Sequence, residues 1–362
     1  MCASINSRSS SSSSGSSDAP PLFGRERRLL AWQGLSLWHP AGWFLRSFGG
    51  RHDKGSLRLF DEDGLRLEIL WEKPRAPTDV AVSIQKLLET LAKDAKKAKK
   101  PFRIADHPDL LSRKHKEREQ ATTFGWSGHA SDPLATQGWG ASWQCAHCER
   151  VIVAHLIGRS HEGTRDTQKL ASEILSGLSC HGSGGWEVWS LSGLKLEVPE
   201  EFELKNARLL AGRIEWEWER VGPQLPLTPA WTRFDERIAL ARTSVANIVL
   251  QNEELQDYIA RTLTTPDKKR AWSRGEQAQL NGRPGWIFRG QPREMRKRGL
   301  FLLQKRYARH KPPQIELRAW HDEPSNKIFA LTTELRANNA QAGADILDSI
   351  EQQVEAGEVE PS

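Results

Sequence analysis

The chain carries one short pattern twice. Gly34-Leu35 leads to Leu37, Pro40, Trp43 and Leu45, and Gly193-Leu194 leads to Leu196, Pro199, Phe202 and Leu204. All six pairs stand 159 residues apart. Trp126 stands opposite Trp286 at an offset of 160, and the segment 141–158 falls opposite 316–335. Matches in one order along the chain indicate duplication, so the 362 residues are read as two like domains, not one large one. The expected organisation is a disordered Ser-rich leader over 1–24, a first repeat over 25–182, a second over 185–356 and an acidic tail over 357–362. The loop SCHGSGGW, around 179–186, is the expected hinge. The repeat also predicts that Trp126 and Trp286 fill matching buried positions.

Composition removes several classes. No apolar run approaches the ~18–20 residues of a membrane span, so no transmembrane helix is expected. The first residues, MCASINSRSSSSSSGSSDAPP, hold no apolar stretch, so no secretory signal is expected there. Four cysteines are too few for a disulfide framework, and a cytoplasmic location follows as the expectation. The net charge of +6 permits an acidic partner without demanding one. That charge is segregated: residues 288–311 hold nine Lys or Arg against one acid, while 337–362 hold six acids and no Lys or Arg.

Each half reads as strands, a helix, more strands and a closing helix. Residues 56–60 and 65–71 alternate apolar and polar about Asp61-Glu62-Asp63-Gly64, a hairpin signal. Residues 214–218 and 237–243 hold the same places in the second half. A helix capped at Thr78 then presents Val80, Ile84, Leu87, Leu88 and Leu91 on one face. Its counterpart uses Leu255, Tyr258, Ile259 and Leu263. Strands joined by tight turns predict antiparallel sheets. Helices after runs of strands predict an α+β class: two tandem repeats, each an antiparallel sheet flanked by helices.

The opening strand that ends in Pro-x-x-aromatic (Pro40 to Trp43, Pro199 to Phe202), the central helix, and the late hairpin running into a last helix together resemble the PsbP/Mog1-like family. The resemblance would cover nearly all of 26–356, twice. It implies an antiparallel sheet between helices and a non-enzymatic binding or assembly role. It supplies no ligand residue.

Cys145-Ala-His-Cys148 is the sharpest motif. Two thiolates two residues apart can bite one tetrahedral ion, but a zinc site needs two more ligands. Strand 149–158 descends ~30 Å at ~3.3 Å per residue, and a helix near 166–179 climbs back ~20 Å. That returns Cys180 and His181 to the same end of the sheet. Cys145, Cys148, Cys180 and His181 are therefore the candidate metal ligands, with His147 able to replace His181. The alternatives are a surface turn with free thiols or a labile disulfide. The second half has no cysteine in its matching turn, Trp320-His321-Asp322-Glu323. No cofactor other than zinc is suggested.

Trp139 with Trp143, and Trp216 with Trp218, each share one face of a strand. They read first as core, because Glu215 and Glu217 take the opposite face, and second as an aromatic platform. Arg293, Arg296, Lys297, Arg298, Lys305, Arg306, Arg309 and Lys311 bracket Leu300 to Leu303, a candidate basic surface for nucleic acid. No P-loop, GxGxxG, GxSxG or HExxH is present, and no catalytic residue is nominated. The expected function is a non-catalytic protein-binding or scaffolding module whose partner is another protein and not a membrane. The alternatives are a nucleic-acid-associated protein using 288–311 and an enzyme of unknown class.

Overall fold

Tight turns set the architecture. At the predicted hairpin, Asp63 N donates to Asp61 Oδ1 at 3.0 Å and Gly64 takes a φ of 130°, which closes the strands on either side. The computed structural model describes residues 26–75, 80–97, 99–106, 110–111, 118–128, 135–222, 235–293, 313–336 and 339–352. The Thr78 cap, the leader and the acidic tail lie outside them. So does every candidate basic-surface residue except Arg293.

Two compact units divide between Gly193 and Leu194. The first contains β1 (Arg27–Trp32), β2 (Leu35–Pro40), β3 (Phe44–Arg51), β4 (Lys54–Asp61), β5 (Gly64–Glu72), α1 (Val80–Lys97), β6 (Phe102–Asp106), β7 (Arg118–Gly128), β8 (Ala135–Cys145), β9 (Val151–Arg159), α2 (Thr164–Gly177) and β10 (Trp186–Leu191). Its large sheet is antiparallel, in the order β3-β4-β5-β9-β8-β7-β6. Strands β2, β1 and β10 pair separately.

The second unit contains β11 (Leu194–Pro199), β12 (Glu203–Leu210), β13 (Arg213–Arg220), β14 (Glu236–Ser244), short helical pieces at Ala246–Val249 and Leu255–Ile259, β15 (Arg270–Trp272), β16 (Glu276–Leu280), β17 (Arg283–Pro292), β18 (Gln314–Asp322), β19 (Lys327–Leu335), a closing helix Ala340–Ser349 and β20 (Glu351–Gln352). Its large sheet runs β12-β13-β14-β19-β18-β17, with β15 and β16 both paired to β17. The strand order repeats that of the first unit.

Register carries the repeat to single residues. Across the first sheet one row reads Gly55, Trp71, Ile152, Trp143. Across the second the matching row reads Ile214, Arg242, Phe329, Trp320. Gly55 and Ile214 keep the offset of 159, while Trp143 and Trp320 stand 177 apart. Gly55 is small because the Trp71 ring lies over it: an added Cβ would sit 2.2 Å from Trp71 Cζ2.

The same registers overturn the pairing of Trp126 with Trp286. Trp126 lies opposite Gly138, whereas Trp286 lies opposite Ala319, the counterpart of Ser142. Gly290 takes the place of Trp126, four residues along the strand. Trp126 is buried and Trp286 only half-buried.

The α+β expectation is also corrected: the fold is mostly β. Among the described residues, twenty strands stand against three helices of ten residues or more. In the first unit the helices do cover the sheet centre. Ile157 packs with Ile84 and Leu88 of α1, while a Cβ on neighbouring Gly158 would meet Thr167 of α2 at 3.0 Å. Helices on opposite faces leave β9 buried along its whole length. In the second unit the helical spacing of Leu255, Tyr258, Ile259 and Leu263 is real, but the segment is short. Five α residues run into a π turn over Ala260–Thr264, and Pro266 follows. The long alternating strands therefore dominate both units. No described helix is long and apolar enough to cross a membrane.

The tryptophans follow the core reading. Trp143, Trp216, Trp218 and Trp320 are fully buried, while Glu215 and Glu217 stand on the more open face of β13.

Candidate metal centre

Three local structures converge on one end of the first sheet. The first is the β8–β9 turn. Cys145 N donates to Arg150 O at 2.9 Å and Glu149 N to Cys145 O at 2.9 Å, with Glu149 in the left-handed region at a φ of 59°. This tight closure turns Cys145 and Cys148 toward one another. The second is the exit of α2, where Leu178 is extended and buried. The third is β2: Ser36 and Ser179 exchange backbone hydrogen bonds at 2.9 and 2.8 Å. That bridge pins the residues on which Cys180 and His181 follow.

The result is a four-residue cluster. The ligand atoms of Cys145, Cys148, Cys180 and His181 all lie within 4.8 Å of one another. Cys148 Sγ is 3.8 Å from Cys180 Sγ. His181 Nδ1 is 3.4 Å from Cys145 Sγ and 3.7 Å from Cys180 Sγ. Cys145 and Cys180 are buried, and Cys148 and His181 half-buried. All four candidate ligands are brought together. His147 is not among them; its ring lies tilted against that of His181, with centroids 4.4 Å apart.

The thiols are unlike. Hydrogen bonding from Cys145 and Cys180, reinforced by Arg150, holds Cys148 far below the ordinary thiol range against the cost of burial. The same contacts, with burial, push Cys180 up. Cys145 is raised, first through its hydrogen bond with Cys148.

Sequence reasoning missed Arg150. Its side chain is fully buried. Nε donates to Cys148 Sγ at 3.4 Å. One terminal nitrogen donates to Gln33 O at 2.7 Å and His52 O at 3.0 Å, and the other to the Cys180 carbonyl. Nothing in the sequence marks this residue, since an arginine two places past a cysteine is by default a surface residue. Gln33 stands in the left-handed β1–β2 turn at a φ of 54° and His52 in the β3–β4 turn. Arg150 thus ties the cluster to two further hairpins.

Chemically, three thiols and one imidazole are the donor set that a closed tetrahedral zinc site uses. The candidate basic surface cannot be placed as a group; Arg293, at its start, donates its backbone N–H to Lys269 O at 2.8 Å.

No protein-family model matches the chain, and no curated protein sequence matches it. Among solved structures, it is similar to the immunity protein TplEi of T6SS from Pseudomonas aeruginosa complexed with the "L" peptide. Identity is 11% and the TM-score 0.29, over 92% of this chain and 99% of that one. The Tle4–Tli4 complex gives 9% identity and a TM-score of 0.30, over 90% of this chain and 97% of that one. Likeness at this level carries no argument about function.

Proposed function

We propose that the protein is a non-catalytic protein-binding module whose two like units each offer an outer edge strand to a partner. The supporting observation is a repeated edge. β3 and β12 each end their sheet among the described residues, so one side of each backbone has no ladder partner. Each carries a bulge after its second residue, between Leu45 and Ser47 and between Leu204 and Asn206. The extra residue is Arg46 in one and Lys205 in the other, both exposed and 159 apart. A bulge bearing a cation deters indiscriminate strand pairing. It also leaves a defined surface for a partner with acidic side chains. The same device at equivalent points of two units suits one partner with two contacts, or two partners.

The test is co-purification of the full chain from its source, followed by reconstitution with the purified partner. Arg46→Glu with Lys205→Glu weakens that binding, and Arg103→Glu, on the opposite edge of the first sheet, leaves it unchanged. Equal binding by all three proteins would overturn the edge reading. A parallel titration with generic DNA and RNA separates the nucleic-acid alternative, because phosphate contacts weaken steeply with salt.

A further inference from the structure

We propose that Cys145, Cys148, Cys180 and His181 hold a structural zinc ion, and that buried Arg150 balances its charge. Two independent observations carry this.

The first is spacing. Tetrahedral zinc with sulfur at ~2.3 Å and imidazole nitrogen at ~2.0 Å separates sulfur pairs by ~3.8 Å and sulfur from nitrogen by ~3.5 Å. The cluster has 3.8 Å between Cys148 and Cys180 sulfurs, and 3.4 and 3.7 Å from His181 Nδ1 to two sulfurs. A disulfide needs sulfurs at ~2.05 Å and consumes two of the three thiols. The chain brings all four donors within 4.8 Å of one another from two segments, the 145–148 turn and Cys180-His181, whose ligands lie up to 36 residues apart.

The second is charge. Arg150 is fully buried, and among the described residues no carboxylate lies within 4.0 Å of it. The nearby Glu187 pairs with His52 at 3.4 Å instead. A buried guanidinium held by carbonyls and one sulfur has, among the described residues, only that Cys148 sulfur bonded to it as an anionic partner, and leaving its charge unbalanced is costly. Zn²⁺ with three thiolates and a neutral imidazole carries one net negative charge. Placed against Arg150 Nε through the Cys148 sulfur, that charge balances the guanidinium. Binding releases the thiol protons to solvent and changes no oxidation state. The closed shell makes the ion a staple, not a catalyst. It joins the β8–β9 turn to the exit of α2, and through Arg150 to the β1–β2 and β3–β4 turns.

The experiment uses the full chain purified without chelator. Elemental analysis of wild type should return one equivalent of zinc. Cobalt substituted for zinc should give the intense visible bands of a tetrahedral ion together with thiolate-to-cobalt charge transfer. X-ray absorption on the zinc protein should show three sulfurs and one nitrogen. Both spectra are read on wild type, so they hold even if a cysteine variant fails to fold. Cys148→Ser and Cys180→Ser should each lose the metal. Arg150→Gln should weaken zinc affinity by ~10–100-fold, as loss of an outer partner does, with Arg150→Lys recovering part of it. Wild type that binds far less than one equivalent in zinc excess, or cobalt spectra without thiolate bands, overturns the site. A full wild-type site whose affinity is unchanged by Arg150→Gln overturns the charge-balancing role.

Discussion

Arg66 grips Glu162 with both terminal nitrogens, at 2.9 and 2.8 Å, across 96 residues of chain. Its Nε lies 3.3 Å from Asp61 Oδ2, and its side chain is 1% exposed. The residue is a strand position of β5, and its guanidinium stacks over Trp43 at 5.3 Å. Glu162 follows β9 and also accepts from Arg159 N at 2.9 Å. The pair therefore locks the β4–β5 hairpin to the start of α2. Burial works most strongly, to raise the Glu162 carboxyl, but the Arg66 hydrogen bonds, the Arg159 backbone N–H and the Arg66 and His161 charges together outweigh it, and the carboxyl ends lowered.

Glu162→Gln should cost ~3 kcal/mol, because it leaves a buried guanidinium short of a charge. Glu72→Gln, which breaks the exposed Lys54 pair at 3.0 Å, should stay within ~0.5 kcal/mol. Urea midpoints of the two variants decide this. Similar losses would mean that burial of Arg66 does not set the energetics.

Trp143 and Trp320 occupy one position of the repeat, each buried against its neighbour strand, with Trp320 stacked on Phe329 at 5.1 Å. Alanine at either should cost ~3–5 kcal/mol through lost burial and the cavity left behind. Trp286→Ala, at a half-buried ring, should cost less than either. Thermal or denaturant unfolding of the three variants gives the order. A larger loss at Trp286 would contradict the register-based equivalence.

How far these features could be read beforehand depended on whether a local rule governed them. The return of Cys180 to the CxxC turn followed from the rise of one strand and one helix, which are fixed quantities. The hairpin at Asp61 to Gly64 followed from alternation and turn chemistry, and strands β13 and β14 from alternation alone. The equivalence of Trp126 and Trp286 failed because it assumed a constant offset. Unequal connections, such as residues 221–235 between β13 and β14 against 62–63 between β4 and β5, move that offset from 159 at Gly55 to 177 at Trp143, and only ladder register reveals it. The helical face from Leu255 to Leu263 had the right period, yet period alone does not give length. Arg150 was invisible because its burial is a tertiary fact, set by carbonyls of turns about 100 residues away.

His39 should make stability depend on pH. Burial lowers its pKa to about 4, with the Arg28 charge acting the same way and the Pro40 carbonyl opposing. Arg28 faces it directly across the β1–β2 ladder. Unfolded, the imidazole titrates near ~6.5. Between those values the unfolded chain binds more protons, so stability is full above pH ~6.5 and falls as pH drops toward about 4. At pH 5 the loss from this group is ~2 kcal/mol. His155, fully buried, is lowered by the same cause, with Glu68 opposing. It adds its own slope, so the readout is a difference between proteins. Unfolding free energies of wild type and His39→Asn, measured at pH 7.5 and pH 5, should show a smaller pH loss in the variant. Equal losses would show that His39 is not held neutral.

Gly138 is the counterpart to Trp126 on β8, and the two illustrate why one side of a cross-strand pair is small. An added Cβ at Gly138 would sit 2.5 Å from both Cε2 and Nε1 of the Trp126 ring. That ring is held in turn: it stacks on Phe102 at 6.0 Å and packs with Ile84 and Leu88 of α1. It cannot swing aside without opening the helix–sheet contact. Gly138→Ala should therefore cost ~1–3 kcal/mol by overpacking. Gly42 makes the control, since a Cβ there meets nothing within 4 Å and its backbone is not left-handed. Gly42→Ala should be neutral or slightly stabilising, by up to ~1 kcal/mol, through the unfolded chain's lost freedom. The double variant Gly138→Ala with Trp126→Leu should recover part of the Gly138→Ala loss, because the clash disappears with the ring. Denaturant unfolding of the four proteins tests this cycle. Strict additivity of the two substitutions would show that the ring does not dictate glycine at this position.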